Sequence, residues 1–211
     1  PCVYEVALDK RGGSGGTDRF WLKYGHWAYL DPNRPSDVGH QVEPPSRAGH
    51  SFAGYFTEPD GRGRQDVGAD GRLLILNTAY ASNATLYAHW EPNVYEVTLD
   101  RTGGTGGTAG PVTATFGQAM PKVEPPTRAG YRFLGYFNAE DVRYYNADGT
   151  SARDWDGGVN WTIFAHWEPN VYEVALDKRG GTGGTDRFWL KYGHWASLTE
   201  GGPDDANPLP S

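Results

Sequence analysis

Cysteine is nearly missing from this chain: Cys2 is the single copy, so no disulfide can form within the molecule. The thiol of Cys2 is therefore either a plain terminal group or a candidate intermolecular link to a second chain. An excess of positive charge is also lacking: the formal net charge is −7, and no run of Lys and Arg is long. This balance argues against a nucleic-acid partner. No apolar run reaches membrane-spanning length, so membrane insertion is not expected either.

Motifs for catalysis and cofactor binding are lacking as well. Three glycine-rich runs have neither the dinucleotide-binding nor the P-loop spacing, so they are better explained as hairpin loops. These runs are Gly12–Gly16, Gly103–Gly107 and Gly180–Gly184. No two histidines of one unit have metal-ligand spacing, and the acidic run Asp148–Asp156 departs from the calcium-loop pattern, which favours a solvated turn over a cation site. The sequence therefore predicts no catalytic residue, no cofactor, no metal site and no enzyme.

The chain does contain an internal repeat. The segment Val-Tyr-Glu-Val occurs at Val3–Val6, Val94–Val97 and Val171–Val174, and Ala-His-Trp-Glu-Pro-Asn joins successive copies at Ala88–Asn93 and Ala165–Asn170. A fixed self-similarity of this kind indicates an array of small structural units. Such arrays more often space or assemble than catalyse.

The repeat predicts the domain limits. We expect a first repeat unit with loop insertions over residues 1–93 and a second over residues 94–170. Residues 171–198 form a partial third repeat, because Val171–Ala196 matches Val3–Ala28 except that Thr182 replaces Ser14. Residues 199–211 have the composition of a flexible, solvated tail.

Within a repeat, the hydrophobic pattern is that of β-strands. Val6 and Leu8 alternate with Glu5, Ala7 and Asp9, a glycine loop follows, and Phe20 and Leu22 form a second alternating segment, which predicts a hairpin. We expect a third, aromatic strand with a bulge or close backbone approach at its central glycine, a short fourth strand, and a last strand that ends in Ala-His-Trp. The glycines are Gly54 and Gly135, and the fourth strands are Leu73–Leu76 and Val142–Tyr145. No convincing amphipathic helix is present, so the predicted fold class is mainly β.

Several longer motifs carry a family resemblance. The second unit contains Phe116–Lys122 (Phe-Gly-Gln-Ala-Met-Pro-Lys), Pro126–Tyr131 (Pro-Thr-Arg-Ala-Gly-Tyr) and Phe133–Phe137 (Phe-Leu-Gly-Tyr-Phe). Together with the Gly-Gly-Thr-Gly-Gly and Ala-His-Trp motifs, they resemble the Listeria–Bacteroides repeat, the B-repeat of internalin-type surface proteins. The resemblance implies an α+β, β-grasp-like domain in tandem arrays on secreted or wall-attached bacterial proteins. It implies use as stalk or adhesive module, and no catalytic residues.

Besides Cys2, six residues are candidates for modification or interaction. Two glycosylation sequons at matching positions make Asn83 and Asn160 candidates for a glycan, although chance occurrence with an asparagine that simply starts the last strand is the favoured explanation. Trp21 and Trp189 lie on the hairpin face opposite the predicted core, and Trp27 and Trp195 follow them. Exposed aromatics of this kind stack on sugars or pack against a neighbouring unit.

The sequence therefore favours a non-catalytic extracellular or cell-surface array that acts as spacer or adhesin segment. A two-stranded hairpin is marginal alone in water. We therefore expect residues 171–198 to find a host in cis or in trans, and in trans this predicts head-to-tail self-association into filaments. The alternative is a binding module for a glycan or a host or cell-surface protein.

Overall fold

Strands, and no helix, make up the regular structure of the described residues. The computed structural model describes residues 2–23, 28, 41–75, 80–194 and 196–198. The mainly β fold class is confirmed, and none of these residues belongs to a helix that could cross a membrane. The β-grasp label that the family resemblance implies is not confirmed, because such a sheet packs around a helix and the described ranges hold none.

The first sheet contains five strands in the order β2-β1-β5-β3-β4. They are β1 (Val3–Asp9), β2 (Arg19–Lys23), β3 (His50–Phe56), β4 (Gln65–Val67) and β5 (Ala84–Pro92). β1 and β5 pair in parallel, whereas the other neighbours are antiparallel. The chain therefore enters and leaves this sheet on two neighbouring inner strands.

The second sheet repeats this topology, with the order β7-β6-β10-β8-β9. Its strands are β6 (Val94–Asp100), β7 (Val112–Thr115), β8 (Tyr131–Phe137), β9 (Arg143–Asn146) and β10 (Trp161–Pro169). Here β6 and β10 form the parallel pair. Sequence similarity between the two repeats thus extends to the strand order and to the parallel pairing of the first and last strand.

The third copy of the repeat forms a small sheet of its own. β11 (Val171–Ala175) and β12 (Arg187–Lys191) make the predicted hairpin, and β13 (Ala196–Ser197) adds a short third strand beside β12. The third copy thus contains antiparallel β11 and β12 and one strand more than the sequence predicts. The predicted tail, residues 199–211, lies outside the described residues.

The chain divides into two compact units. One consists of residues up to Val94 with Thr115–Gly117 and Asp156–Gly158, and the other of Tyr95–Ala114, Gln118–Trp155 and the described residues from Val159 on. These limits follow spatial contacts, and the repeat limits at residues 93, 170 and 198 stay predictions.

Alternating strand residues build the core of the first unit. Val6, Leu8, Phe20 and Leu22 are each at most 6% exposed, and they pack with Tyr55 and other buried residues in one cluster. Each fully buried side chain of this size stabilises the fold by about 1.5–3 kcal/mol. The period of two in the sequence therefore identifies the core face of the first hairpin correctly.

Aromatic rings fill the core of the second unit. Trp155 is fully buried, with ring centroids 5.2 Å from Tyr144 and 5.1 Å from Trp161. Tilted and edge-to-face contacts of this kind add about 0.5–1.5 kcal/mol each beyond the buried area. This cluster therefore adds aromatic contacts to the buried aliphatic residues of the second core.

The central glycine of each aromatic strand lies at a bulge, as predicted. In β3 the register shifts between Phe52 and Gly54, and Gly54 has a φ of 128°. A Cβ atom at Gly54 would come within 2.4 Å of the Val67 carbonyl oxygen, and one at Gly135 within 2.1 Å of the Tyr145 oxygen. Glycine is therefore required here by both the backbone angle and the close approach of the neighbouring strand.

The predicted fourth strand of the first repeat is wrong. Strand β4 is Gln65–Val67, whereas Leu73 makes only an isolated bridge to Val67 and Leu76 lies outside the described residues. The error arose because Asp66 makes the true strand look like a solvated acidic loop. In the second repeat, β9 confirms the prediction to within one residue at each end.

Three buried tyrosines predict how the fold responds to alkaline pH. Burial raises the phenol pKa of Tyr55, Tyr136 and Tyr145 above the usual value of about 10. Because the folded-state pKa is raised, the unfolded chain loses these protons first, so the stabilisation is complete below about pH 10 and is lost as pH rises further. We expect absorbance at 295 nm to show these three phenols ionising only as circular dichroism reports unfolding. Ionisation of every tyrosine while circular dichroism still reports the folded chain would contradict this.

Candidate interaction surfaces

An aromatic clasp holds the third copy of the repeat within the second unit. The rings of Tyr192 and Tyr131 meet edge to face, with centroids 5.3 Å apart. Asn170 connects the two segments, since its N–H donates to the Gly130 carbonyl oxygen at 2.8 Å and its carbonyl oxygen accepts from the Tyr192 N–H at 2.9 Å. The Arg128 guanidinium lies 4.1 Å from the centre of the Tyr131 ring, a cation–π contact.

The same arrangement occurs in the first unit. The Asn93 N–H donates to the Gly49 carbonyl oxygen and the Phe116 N–H donates to the Asn93 carbonyl oxygen, both at 2.9 Å. The Phe116 and His50 rings meet edge to face with centroids 5.6 Å apart. The clasp is therefore made by equivalent residues in each unit, namely the glycine of Arg-Ala-Gly, the residue after it, the linker asparagine and an aromatic residue.

The apolar face of the third copy is open despite the clasp. Leu176 is 44% and Leu190 37% exposed, whereas the matching Leu8 and Leu22 are 6% and 3% exposed. In the first unit residues of β3 and β5 complete the core around these leucines, and the described residues supply no such cover for the third copy. A shallow apolar groove results, lined by Leu176, Thr185, Phe188, Ala196, Ser197 and Leu198.

Two of the four candidate tryptophans lie among the described residues. Trp21 is half-buried on the edge strand β2, opposite Glu5, and Trp189 is half-buried on the middle strand β12, opposite Glu173. Trp27 and Trp195 lie outside the described residues. Their role as an interaction surface stays a prediction.

The two sequon asparagines occupy equivalent, exposed positions directly before the last strand of each sheet. The Asn83 side-chain oxygen Oδ1 accepts from the Glu5 N–H at 2.9 Å, and Asn160 Oδ1 accepts from the Glu96 N–H at 3.0 Å. Each asparagine therefore satisfies a backbone donor on the neighbouring parallel strand. Because Nδ2 is the atom that carries an N-linked glycan, this contact leaves glycosylation open.

Cys2 and the histidines complete the candidate residues. Cys2 is exposed and unpaired, so its role as an intermolecular thiol stays a prediction. The His166 ring stacks on Phe137 with centroids 4.2 Å apart, and the equivalent His89 meets Phe56 edge to face at 5.7 Å. Across the described part of the chain, no three His, Cys, Asp or Glu side chains come close enough together to hold a metal ion.

Sequence reasoning missed one buried polar cluster. Asp66 is completely buried, and its carboxylate accepts from Arg64 Nε at 2.5 Å and from the Tyr80 hydroxyl. Burial, followed by the hydrogen bond to Asp66, raises the pKa of the Tyr80 phenol. A buried charge is usually paired in this way, so we assign the cluster to stability of the first unit. No sequence signal separates Asp66 from the exposed aspartates around it.

Two sheets of the same order, each with its own core, define a tandem-repeat β protein. Residues 4–89 and 95–158 both match the family model of the Listeria-Bacteroides repeat domain. The chain therefore belongs to the Listeria-Bacteroides repeat family, as its motifs predict. No solved structure matches it significantly.

Two curated relatives from Evansella cellulosilytica are similar to the chain. One, named "Putative Gly-rich membrane protein", is 32% identical over 160 residues, which is 74% of this chain and 17% of that protein. The other, named "Putative membrane protein", is 33% identical over 124 residues, 57% of this chain and again 17% of the relative. The chain thus spans less than a fifth of the length of these relatives.

The clasp predicts the effect of a small substitution at Gly130. A Cβ atom there would lie 2.3 Å from the Tyr192 ring, so Gly130→Ala should displace the ring and loosen residues 171–197. Loss of an aromatic contact worth about 1 kcal/mol should raise the population of the open form. Tryptic cleavage at Lys178 and Arg187 should then be roughly fivefold faster than in the native chain. Gly106→Ala is the matched control, because Gly106 has a similar φ of 68° but open space around it. Equal cleavage rates in the two variants would contradict the clasp.

Proposed function

We propose that this chain is a non-catalytic structural segment of a microbial cell-envelope protein, in which the repeats act as an extracellular spacer. The observation that carries the proposal is the repetition of one complete sheet and core with almost no linker. Asn93 alone separates β5 from β6, and Asn170 alone separates β10 from β11. Successive copies joined in this way extend a chain by whole folded units.

Family and relatives support the envelope location. The family resemblance implies stalks and adhesive modules on surface proteins, and the relatives from Evansella cellulosilytica carry the word membrane in their names. Among the described residues, the groups best placed for interaction are a clasp, strand contacts and an apolar face, and no nucleophile, base and oxyanion donors are assembled there. These features favour a mechanical or spacing role over an enzymatic one.

A binding module for a glycan or a surface protein is the second candidate. We rank it lower because Trp21 and Trp189 are half-buried. A glycan array that gives a signal with the chain and none with a folded Trp21→Ala variant would favour binding over spacing. Head-to-tail assembly into filaments through residues 171–198 also stays a prediction, which light scattering of the chain with and without residues 171–211 tests.

Surface exposure of the native protein is the direct test of the proposal. Trypsin added to intact cells of the source organism should remove the signal of an antibody raised against residues 1–170, since an envelope spacer faces the medium. A cytosolic protein in the same cells should keep its signal and serves as the control. If the antibody signal survives until the cells are lysed, the proposed function is wrong.

A further inference from the structure

The first and last strands of each repeat lie side by side and run in the same direction. In the first sheet β1 pairs with β5 from Val6↔Ala84 to Asp9↔Tyr87. In the second sheet β6 pairs with β10 from Val97↔Trp161 to Asp100↔Phe164. The entry and the exit of the chain are therefore joined directly by the hydrogen bonds of a parallel ladder.

This geometry decides how tension on the chain acts. A pull on the amino end of β1 and on the carboxyl end of β5 draws two parallel neighbours in opposite directions along their common axis. The ladder bonds are then sheared together, so they must break together before the sheet opens. We propose that these strand pairs, β1 with β5 and β6 with β10, are mechanical clamps that make each repeat resist pulling along the chain.

A side-chain bond reinforces the beginning of each clamp. Asn83 comes directly before β5, and its Oδ1 accepts from the Glu5 N–H, one residue before the first ladder pair. Asn160 does the same before β10 with the Glu96 N–H. The asparagine side chain thus adds one hydrogen bond to the ladder, directly before the first residue of the last strand.

A second side-chain bond reinforces the other end. Trp90 on β5 donates from Nε1 to the Lys10 carbonyl oxygen at 2.9 Å, and Lys10 directly follows β1. Trp167 on β10 donates in the same way to the Arg101 carbonyl oxygen at 3.0 Å. Because Trp90 is only 8% exposed, water competes poorly for this bond. Both clamps therefore have the same three parts, an asparagine bond, a parallel ladder and a tryptophan bond.

The third copy shows the contrasting geometry. β11 and β12 are antiparallel, with Val171 opposite Lys191, so the two ends of this hairpin lie at the same edge. Tension on those ends peels the bonds apart one at a time. The hairpin should consequently open at low force, and it has no described strand equivalent to β5.

This inference rests on the proposed function for its biological meaning, since a spacer on a cell surface is exposed to pulling. It assigns the sequon residues Asn83 and Asn160 to force resistance. Forced unfolding is governed by the rate of crossing the unfolding barrier rather than by equilibrium stability. The clamp should therefore be visible in pulling experiments even when the free energy of unfolding is ordinary.

Two attachment geometries on the full chain test the clamp. The natural thiol of Cys2 serves as one attachment point. The second is a cysteine introduced either by Glu91→Cys, at the end of β5, or by Ser82→Cys, just before β5, and all three positions are exposed. Pulling between Cys2 and position 91 loads the ladder in shear, whereas pulling between Cys2 and position 82 opens it from one end. In an optical-tweezers experiment we expect the shear geometry to unfold at several-fold higher force. Equal forces in the two geometries would overturn the proposal.

A pair of substitutions tests the asparagine bond in the shear geometry. Asn83→Ala removes the acceptor, so the lifetime at constant force should fall about fivefold, the effect of one lost hydrogen bond. Asn83→Asp keeps an acceptor oxygen but destroys the sequon, and its lifetime should stay near that of the native chain. Equal lifetimes for the alanine and aspartate variants would refute the assigned role of Asn83.

These outcomes are separable from those of the proposed function. If the chain is exposed on cells but unfolds at the same force in both attachment geometries, it is a passive spacer and the clamp is refuted. If the unfolding forces differ but trypsin cannot reach the chain on intact cells, the clamp stands and the envelope location is refuted.

Discussion

The parallel pairing of the first and last strand is the constraint on which each repeat depends. It closes a unit whose β3 and β4 strands would otherwise be joined to the first hairpin only through loops. The pairing brings Val6 and Leu8 against Leu86 and Ala88 in the first core, and the matching residues meet in the second. A parallel neighbour cannot be reached by a tight turn, so the whole body of the repeat serves as the crossover.

The two repeats reach the same topology with different interiors. In the first unit, β4 contributes the buried Asp66 carboxylate, which pairs with Arg64 and Tyr80. In the second unit, the equivalent strand β9 contributes Tyr144 to an aromatic cluster around Trp155. The backbone thus tolerates either a satisfied polar cluster or an aromatic one at this position. The elements common to both units are the clamp, the glycine bulge and the clasp, and these are the features we associate with function.

Most of the fold could be predicted because its signals are local. Period-two alternation identified the hairpins, and the central Gly54 and Gly135 identified the bulges. The parallel partner of β1 could not be predicted, since pairing of β1 with β5 joins residues nearly eighty positions apart and leaves no local pattern. The clasp was missed for the same reason, and Asp66 was misjudged because a buried carboxylate and a solvated one look alike in sequence. Sequence did locate Asn83 and Asn160, although their contact with the neighbouring strand required coordinates.

Hydrogen–deuterium exchange of the full chain tests most directly whether each repeat is closed by its first and last strands. The account predicts that backbone amides of β1 and β5 are protected to the same degree, as are those of β6 and β10, because each pair opens only when its unit unfolds. Amides of β11 and β12 should exchange much faster. If β1 and β6 exchange as fast as β11 while β5 and β10 stay protected, the pairing does not close the repeats and the account is contradicted.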